Sequence, residues 1–173
     1  EDSPKSFLSF SDNTIAIHGF SKYYAMTGWR LGFMITPIEW MSSAARLHQN
    51  LMISANDFVQ QAGIAVLQNS VSYCESMKNE FNKRRKFVLN RLSELGMDPE
   101  YTPTGAFYVL YKYRDYSKSS LHLCKDVLEK TGVAIAPGRD FGPGAEGYIR
   151  ISYANSMENI DRALTKMAES GLL

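Results

Sequence analysis

The sequence predicts an α/β protein, and three observations carry that prediction. Five short runs, 14–17, 31–36, 106–113, 133–136 and 148–153, are apolar, β-branched or aromatic and of strand length. Between them lie longer segments whose apolar residues recur at helical spacing, with capping residues at their ends. With 173 residues and 45% apolar content, the chain is long enough for one good core or two small ones.

Taken in order, residues 1–12 are polar, rich in Ser and broken by Pro4, and they read as a loop entered midway. The runs 14–17 and 31–36 fit buried strands of a larger sheet, because two strands alone cannot bury both faces. Thr36-Pro37-Ile38-Glu39 reads as a helix start, with Thr36 as N-cap, Pro37 at the first helical position and Glu39 reaching back to the cap. That helix should run to about Asn50. Ser54-Ala-Asn-Asp57 offers a second start, placing Phe58, Ala62, Ala65 and Val66 on one face as far as about Asn69. The third helix is the longest. Over 71–95, Met77, Phe81, Val88, Leu92 and Leu95 form an apolar stripe that Gly96 stops. A helix of that length could link two lobes, so a boundary is expected within it or just after it, near Gly96.

Beyond Gly96, 106–113 reads as an aromatic strand and 120–130 as a helix stopped by Gly132. The run 133–136 reads as a short buried strand closed by Pro137-Gly138. Residues 140–147, with three glycines and a proline, must be a loop. A strand follows over 148–153, and Asn155-x-x-Glu158 opens a last helix that Gly171 ends. There is no internal repeat and no low-complexity tract.

A formal net charge of +1 argues against a nucleic-acid or membrane-surface protein, whose partners demand a patch of one sign. The one dense basic cluster, Lys83-Arg84-Arg85-Lys86, falls in the long helix and reads as a solvated face. Cys74 and Cys124 stand far apart, and no signal peptide or long apolar span is evident, which points to a reducing cytoplasmic compartment. His18, His48 and His122 lack metal-ligand spacing, so no metal site is expected.

The stretch from His18 to Phe33 is where the sequence points to chemistry. Lys22 follows a strand-like run and a glycine, so its amine should emerge at a strand end, where ligands of α/β sheets bind. Arg30 comes eight residues later, between Gly28 and Gly32, which suggest a tight turn that lets backbone approach a ligand. Lysine has an ordinary pKa near about 10.4 and needs a desolvated or cationic setting to act as a neutral nucleophile. Arg30 is a neighbour suited to that purpose, and its planar fork also suits a phosphate, with Ser21 and Thr27 as hydroxyl donors. The arrangement suits an imine to an aldehyde cofactor carrying a phosphate; taken alone it fits a turn with a surface lysine better, because one Lys and one Arg eight apart is a weak pattern.

Arg150 forms a second focus. It alternates with Ile149 and Ile151, so the isoleucines share one face and the arginine points to the other. A strand holds such a fork rigidly enough to receive a carboxylate in a cleft, although the pattern also fits an exposed arginine on a half-buried strand.

The run Gly19-Phe-Ser-Lys22 with Met26-Thr-Gly-Trp-Arg30-Leu-Gly32 resembles the lysine segment of class I/II aminotransferases, fold type I pyridoxal-phosphate (PLP) enzymes. Tyr148-Ile-Arg150-Ile-Ser152, Pro103-Thr-Gly105-Ala-Phe107-Tyr108 and Ala136-Pro-Gly138-x-x-Phe141-Gly142 extend the resemblance over the whole chain. It implies the C-terminal part of a fold type I PLP-dependent transferase: a large-domain remnant over 1–70, a linking helix over 71–96 and a small α/β domain over 97–173. The resemblance implies that Lys22 joins the cofactor, pyridoxal 5'-phosphate, as an imine, that Arg30 and Ser21 serve the cofactor, and that Arg150 takes the substrate α-carboxylate. It further implies amino acid and 2-oxo acid substrates, a homodimeric parent, and a fragment inactive by itself. The alternatives are a lyase of the same fold and a non-catalytic regulatory module that retains it. Many relatives have Asn where His18 stands and Ser where Arg139 stands; the extra arginine reads as facing water. The aspartate, aromatic, asparagine and tyrosine that such enzymes place upstream of their lysine have no counterpart here, and neither Asp2 nor Asp12 is assigned to the ring nitrogen.

Overall fold

Alternation along a strand decides which side chains a sheet can bury, and the run around Arg150 shows this most clearly. In the computed structural model, which describes residues 5–114, 117 and 119–173, the chain divides into two compact units. The first ends at Ser76 and the second is Met77–Leu173.

The elements of the first unit are β1 (Ala16–Gly19), β2 (Gly32–Ile35), α1 (Ile38–Met52), α2 (Asp57–Asn69) and the start of α3 (Val71–Glu94). Those of the second are the rest of α3, β3 (Tyr108–Lys112), α4 (Ser120–Thr131), β4 (Ala136–Pro137), β5 (Tyr148–Ser152) and α5 (Met157–Glu169). Asp2 and Pro4 lie outside the described residues, and Phe7–Ser9 forms a short 3-10 turn.

In the second unit β5 is the central strand, antiparallel to both β3 and β4, in the order β3-β5-β4. Val109, Tyr111, Ile149 and Ile151 point from this sheet into a core completed by Val88 and Leu92 of α3, Leu123 and Val127 of α4, and Ile160, Leu164 and Met167 of α5. The intervening residues Tyr108, Leu110, Tyr148 and Arg150 stand on the other face, as the alternation predicts. Gly96, at φ +70°, ends α3: the Met97 N–H reaches back to the Leu92 carbonyl and the Gly96 N–H to that of Ser93. Arg91 ties α3 to α5 through Asp161 at 2.6 Å and Thr165 at 3.0 Å.

The first unit packs differently. β1 and β2 pair with one another, antiparallel, with Ala16 opposite Ile35 and Gly19 opposite Gly32. The expectation of buried strands is not met here: both strands are largely exposed, because a two-stranded ribbon leaves its faces uncovered. Phe20, Met26, Val59 and Cys74 are buried.

Several expected boundaries move. α1 starts at Ile38 with Pro37 at the cap position, so Thr36 makes no capping bond, and its hydroxyl oxygen is buried with no hydrogen-bond partner among the described residues. α2 is capped by Asn56, and its buried side is Val59 and Gly63 rather than the predicted face, with Phe58 well exposed. The run 133–136 yields only the two-residue, half-buried β4. The expected loop over 140–147 carries parts of two short 3-10 turns, Gly138–Phe141 and Pro143–Ala145. Ser156, not Asn155, caps α5, its hydroxyl accepting the Asn159 N–H at 3.3 Å. The basic cluster is only partly solvated, since Arg84 pairs with Glu80 and Arg85 donates to the Pro103 carbonyl at 3.0 Å.

Candidate active site

The candidate side chains fall into two sets, one in each unit. In the first, residues 20–31 make an excursion between β1 and β2 that is closed at its base by the Phe20 N–H donating to the Leu31 carbonyl at 3.1 Å. Ser21, Lys22, Thr27 and Arg30 all stand on this excursion. Phe20 anchors it, buried and in ring contact with Tyr24 and Phe33.

The backbone of the excursion is strained at two non-glycine residues, Ala25 at φ 54° and Arg30 at φ 52°. Residues held in the left-handed region without being glycine cost on the order of 1–3 kcal/mol and concentrate at ligand sites. The left-handed position therefore falls on Arg30 itself and not on the flanking Gly28. Gly32 serves close approach instead: a Cβ there would lie 2.8 Å from the His18 carbonyl oxygen. The Arg30 guanidinium donates through Nη1 to the Thr27 carbonyl at 3.1 Å, which aims the fork along the turn. Lys22 is exposed. The donor set on the turn, a primary amine, a guanidinium and two hydroxyls, suits a phosphorylated aldehyde.

In the second unit Arg150 sits on the central strand, opposite Leu110 of β3 and Ala136 of β4. Its guanidinium lies 5.1 Å from the Tyr108 ring centre and 4.8 Å from that of Phe141. The Nε of Arg150 is buried and finds no hydrogen-bond partner among the described residues. A cleft of about 440 Å³ opens on the same sheet face, walled by Pro103, Gly105, Tyr108, Leu110, Ala145 and Tyr148.

Sequence reasoning gave Phe141 and Tyr108 no role, although both stand in quoted motifs. Tyr108 could have been found by alternation, since it shares a face with Leu110. Its approach to Arg150 depends on strand register, which one sequence does not reveal. Glu146 was also missed. Its carboxylate accepts the Ser120 N–H at 2.6 Å, the Ser120 hydroxyl at 2.9 Å and the Tyr113 hydroxyl at 3.2 Å, and the Ser120 bonds hold its pKa below the ordinary carboxylate value. Arg139 is exposed; its backbone N–H donates to the Ser120 hydroxyl at 3.3 Å. His18 stacks on Phe33 at 5.5 Å. No cluster of three or more potential metal ligands exists among the described residues, and no described helix is long and apolar enough to cross a membrane.

An amine-bearing turn in one α/β unit and a strand-borne, aromatic-flanked arginine in the other fit a fold type I PLP-dependent transferase. The family Aminotransferase class I and II matches residues 2–167, and the chain belongs to that family, whose members are PLP-dependent. It is 40% identical over 161 residues to an aspartate aminotransferase of Pyrococcus horikoshii, covering 92% of this chain and 41% of the relative. It is 37% identical over 159 residues to an aromatic-amino-acid aminotransferase of Thermococcus litoralis, covering 90% of this chain and 40% of the relative. The crystal structure of an aromatic aminotransferase from Pyrococcus horikoshii superposes with a TM-score of 0.86 at 36% identity, covering 94% of this chain and 44% of that one. The chain thus spans less than half the length of these relatives.

Proposed function

We propose that the chain is the C-terminal part of a PLP-dependent aminotransferase that moves an amino group between an amino acid and a 2-oxo acid. In this reading 1–70 closes the cofactor-binding domain, 71–96 is a linking helix and 97–173 is the small domain. Lys22 would hold the cofactor through its amine, and Arg30 with Ser21 would hold its phosphate. The cofactor supplies, when bound, an electron sink for the substrate α-carbon. Lys22 takes the proton from that carbon and returns it, acting as general base and then acid. Arg150 grips the α-carboxylate bidentately and so sets the orientation of the bond to be broken.

The observation that carries this reading is the state of Arg150: a guanidinium held over two aromatic rings, with a buried Nε that has no hydrogen-bond partner among the described residues. An unmet donor of that kind gains from an incoming carboxylate. The named relatives act on aspartate and on aromatic amino acids, which supports α-amino acids as the substrate class. The full-length protein is proposed to be a cytoplasmic homodimer.

The test is to incubate the full-length protein with PLP, a panel of amino acids and 2-oxoglutarate, and to analyse the products. Amino-group transfer with formation of a new 2-oxo acid is expected; elimination products alone would replace this reading with a lyase. The isolated 173-residue chain is expected not to transaminate, and turnover from it comparable to ordinary transaminases would overturn its assignment as an inactive part.

A further inference from the structure

Arg150 owes its fixed orientation to its neighbours as well as to its strand. β5 is the central strand, so side chains from both flanking strands can reach a guanidinium on its outer face. Tyr108 of β3 supplies one ring, and Phe141, at the end of the 3-10 turn that follows β4, supplies the other. A guanidinium held over aromatic rings is attracted by their quadrupoles, which restrains it while its N–H groups remain the donors that a carboxylate uses.

Phe141 is itself 48% exposed, so its position is set by the backbone that carries it. Glu146 fixes that backbone. Five residues after Phe141, its carboxylate receives the Ser120 N–H, the Ser120 hydroxyl and the Tyr113 hydroxyl, while the Ser120 hydroxyl accepts the Arg139 N–H. Gly147 completes the attachment, its carbonyl accepting the Tyr113 N–H at 3.1 Å. Gly138 leaves no room for adjustment at the other end, because a Cβ there would collide with the carbonyl oxygens of Ala145 and Tyr148.

We infer that Phe141 is a positioning residue for Arg150, and that Glu146 holds the segment 138–147 so that the Phe141 ring stays against the guanidinium. The inference rests on the proposal that Arg150 receives the α-carboxylate. It goes further, assigning the precision of that grip to an aromatic ring and to a carboxylate that need not touch substrate.

The experiment uses the full-length protein and four variants: Phe141→Leu, Phe141→Tyr, Glu146→Gln and Arg150→Ala. KM for the amino acid, kcat and cofactor affinity are measured for each. Phe141→Leu retains an apolar side chain but removes the π-face; it should raise KM about three- to thirty-fold, the range a cation–π contact spans, with kcat within about two-fold and cofactor affinity unchanged. Phe141→Tyr should restore KM to within about two-fold of the unsubstituted protein, and Glu146→Gln should raise KM in the same direction as Phe141→Leu. An unchanged KM in Phe141→Leu beside a crippled Arg150→Ala overturns the inference and leaves the carboxylate role standing. Failure of Phe141→Tyr to rescue, or an unchanged KM in Glu146→Gln, also overturns it. Normal activity in Arg150→Ala removes the underlying reading itself.

Discussion

Two helices of similar length behave in opposite ways. α5 buries Ile160, Leu164 and Met167 of its 13 residues, whereas α1, with 15 residues, buries none. The contrast extends to their units: the second has a continuous core under a three-stranded sheet, while the first leaves Ile17, Ile38, Leu51 and Ile53 well exposed around a two-stranded ribbon. An apolar stripe states that a helix needs cover, but not where the cover comes from. The second unit finds its cover within the chain and the first largely does not. Lys22 and Arg30 stand in the poorly covered unit, and Arg150 in the well-covered one.

The hardest way to break that comparison is at Lys22. In the full-length protein Lys22→Ala is expected to lower turnover by at least about four orders of magnitude, since attachment and proton transfer are lost together. Borohydride reduction followed by peptide mapping should find the pyridoxyl group on Lys22; finding it on Lys112 instead would sink the assignment. Next comes Arg150→Ala, expected to lower kcat/KM by about two to three orders of magnitude, with cofactor binding intact. An unchanged kcat/KM would return Arg150 to a structural part.

Stability measurements sharpen the same contrast. In the 173-residue chain Leu92→Ala should cost about 2–5 kcal/mol in urea unfolding, as expected for a fully buried leucine. Leu51→Ala, at an exposed site, should cost no more than about 0.5 kcal/mol. Equal costs would erase the distinction between the units.

A smaller effect concerns pH. Glu146 is held below its ordinary pKa mainly by the Ser120 N–H, and Glu100 mainly by the Lys112 ammonium at 2.7 Å, helped by the Tyr148 hydroxyl. A lowered folded-state pKa means that the unfolded chain binds the proton more tightly. The stabilisation is therefore present above the ordinary carboxylate range and is lost as pH falls through the folded values. Glu146→Gln should flatten part of the acid limb of stability against pH, and an acid limb identical to that of the unsubstituted protein would refute the assignment. Smallest of all, burial pushes the Cys124 thiol up to about 11, so a thiol reagent at neutral pH should label it only slowly while the second unit is folded. Rapid labelling in the native state would show that the core around α4 is open.

Several features were legible in the sequence because they are local. The alternation of Ile149, Arg150 and Ile151, the stops at Gly96 and Gly132, and the α3 stripe of Val88 and Leu92 depend on periodicity and backbone sterics, which neighbouring residues determine. Membership in the aminotransferase family was legible from the lysine and arginine motifs. Tertiary structure alone decided the rest. The cap moved from Thr36 to Pro37, and the buried side of α2 turned to Val59 and Gly63, where Gly63 lies against the side chains of Leu31 and Phe20. The approach of the Arg150 guanidinium to the rings of both Tyr108 and Phe141 requires β5 to lie between β3 and β4 in one register. Glu146 reaches Ser120 across 26 positions of sequence. Periodicity assigns a residue to a face, but strand order and register choose its neighbours, and those are settled only when the sheet and its helices close over a common core.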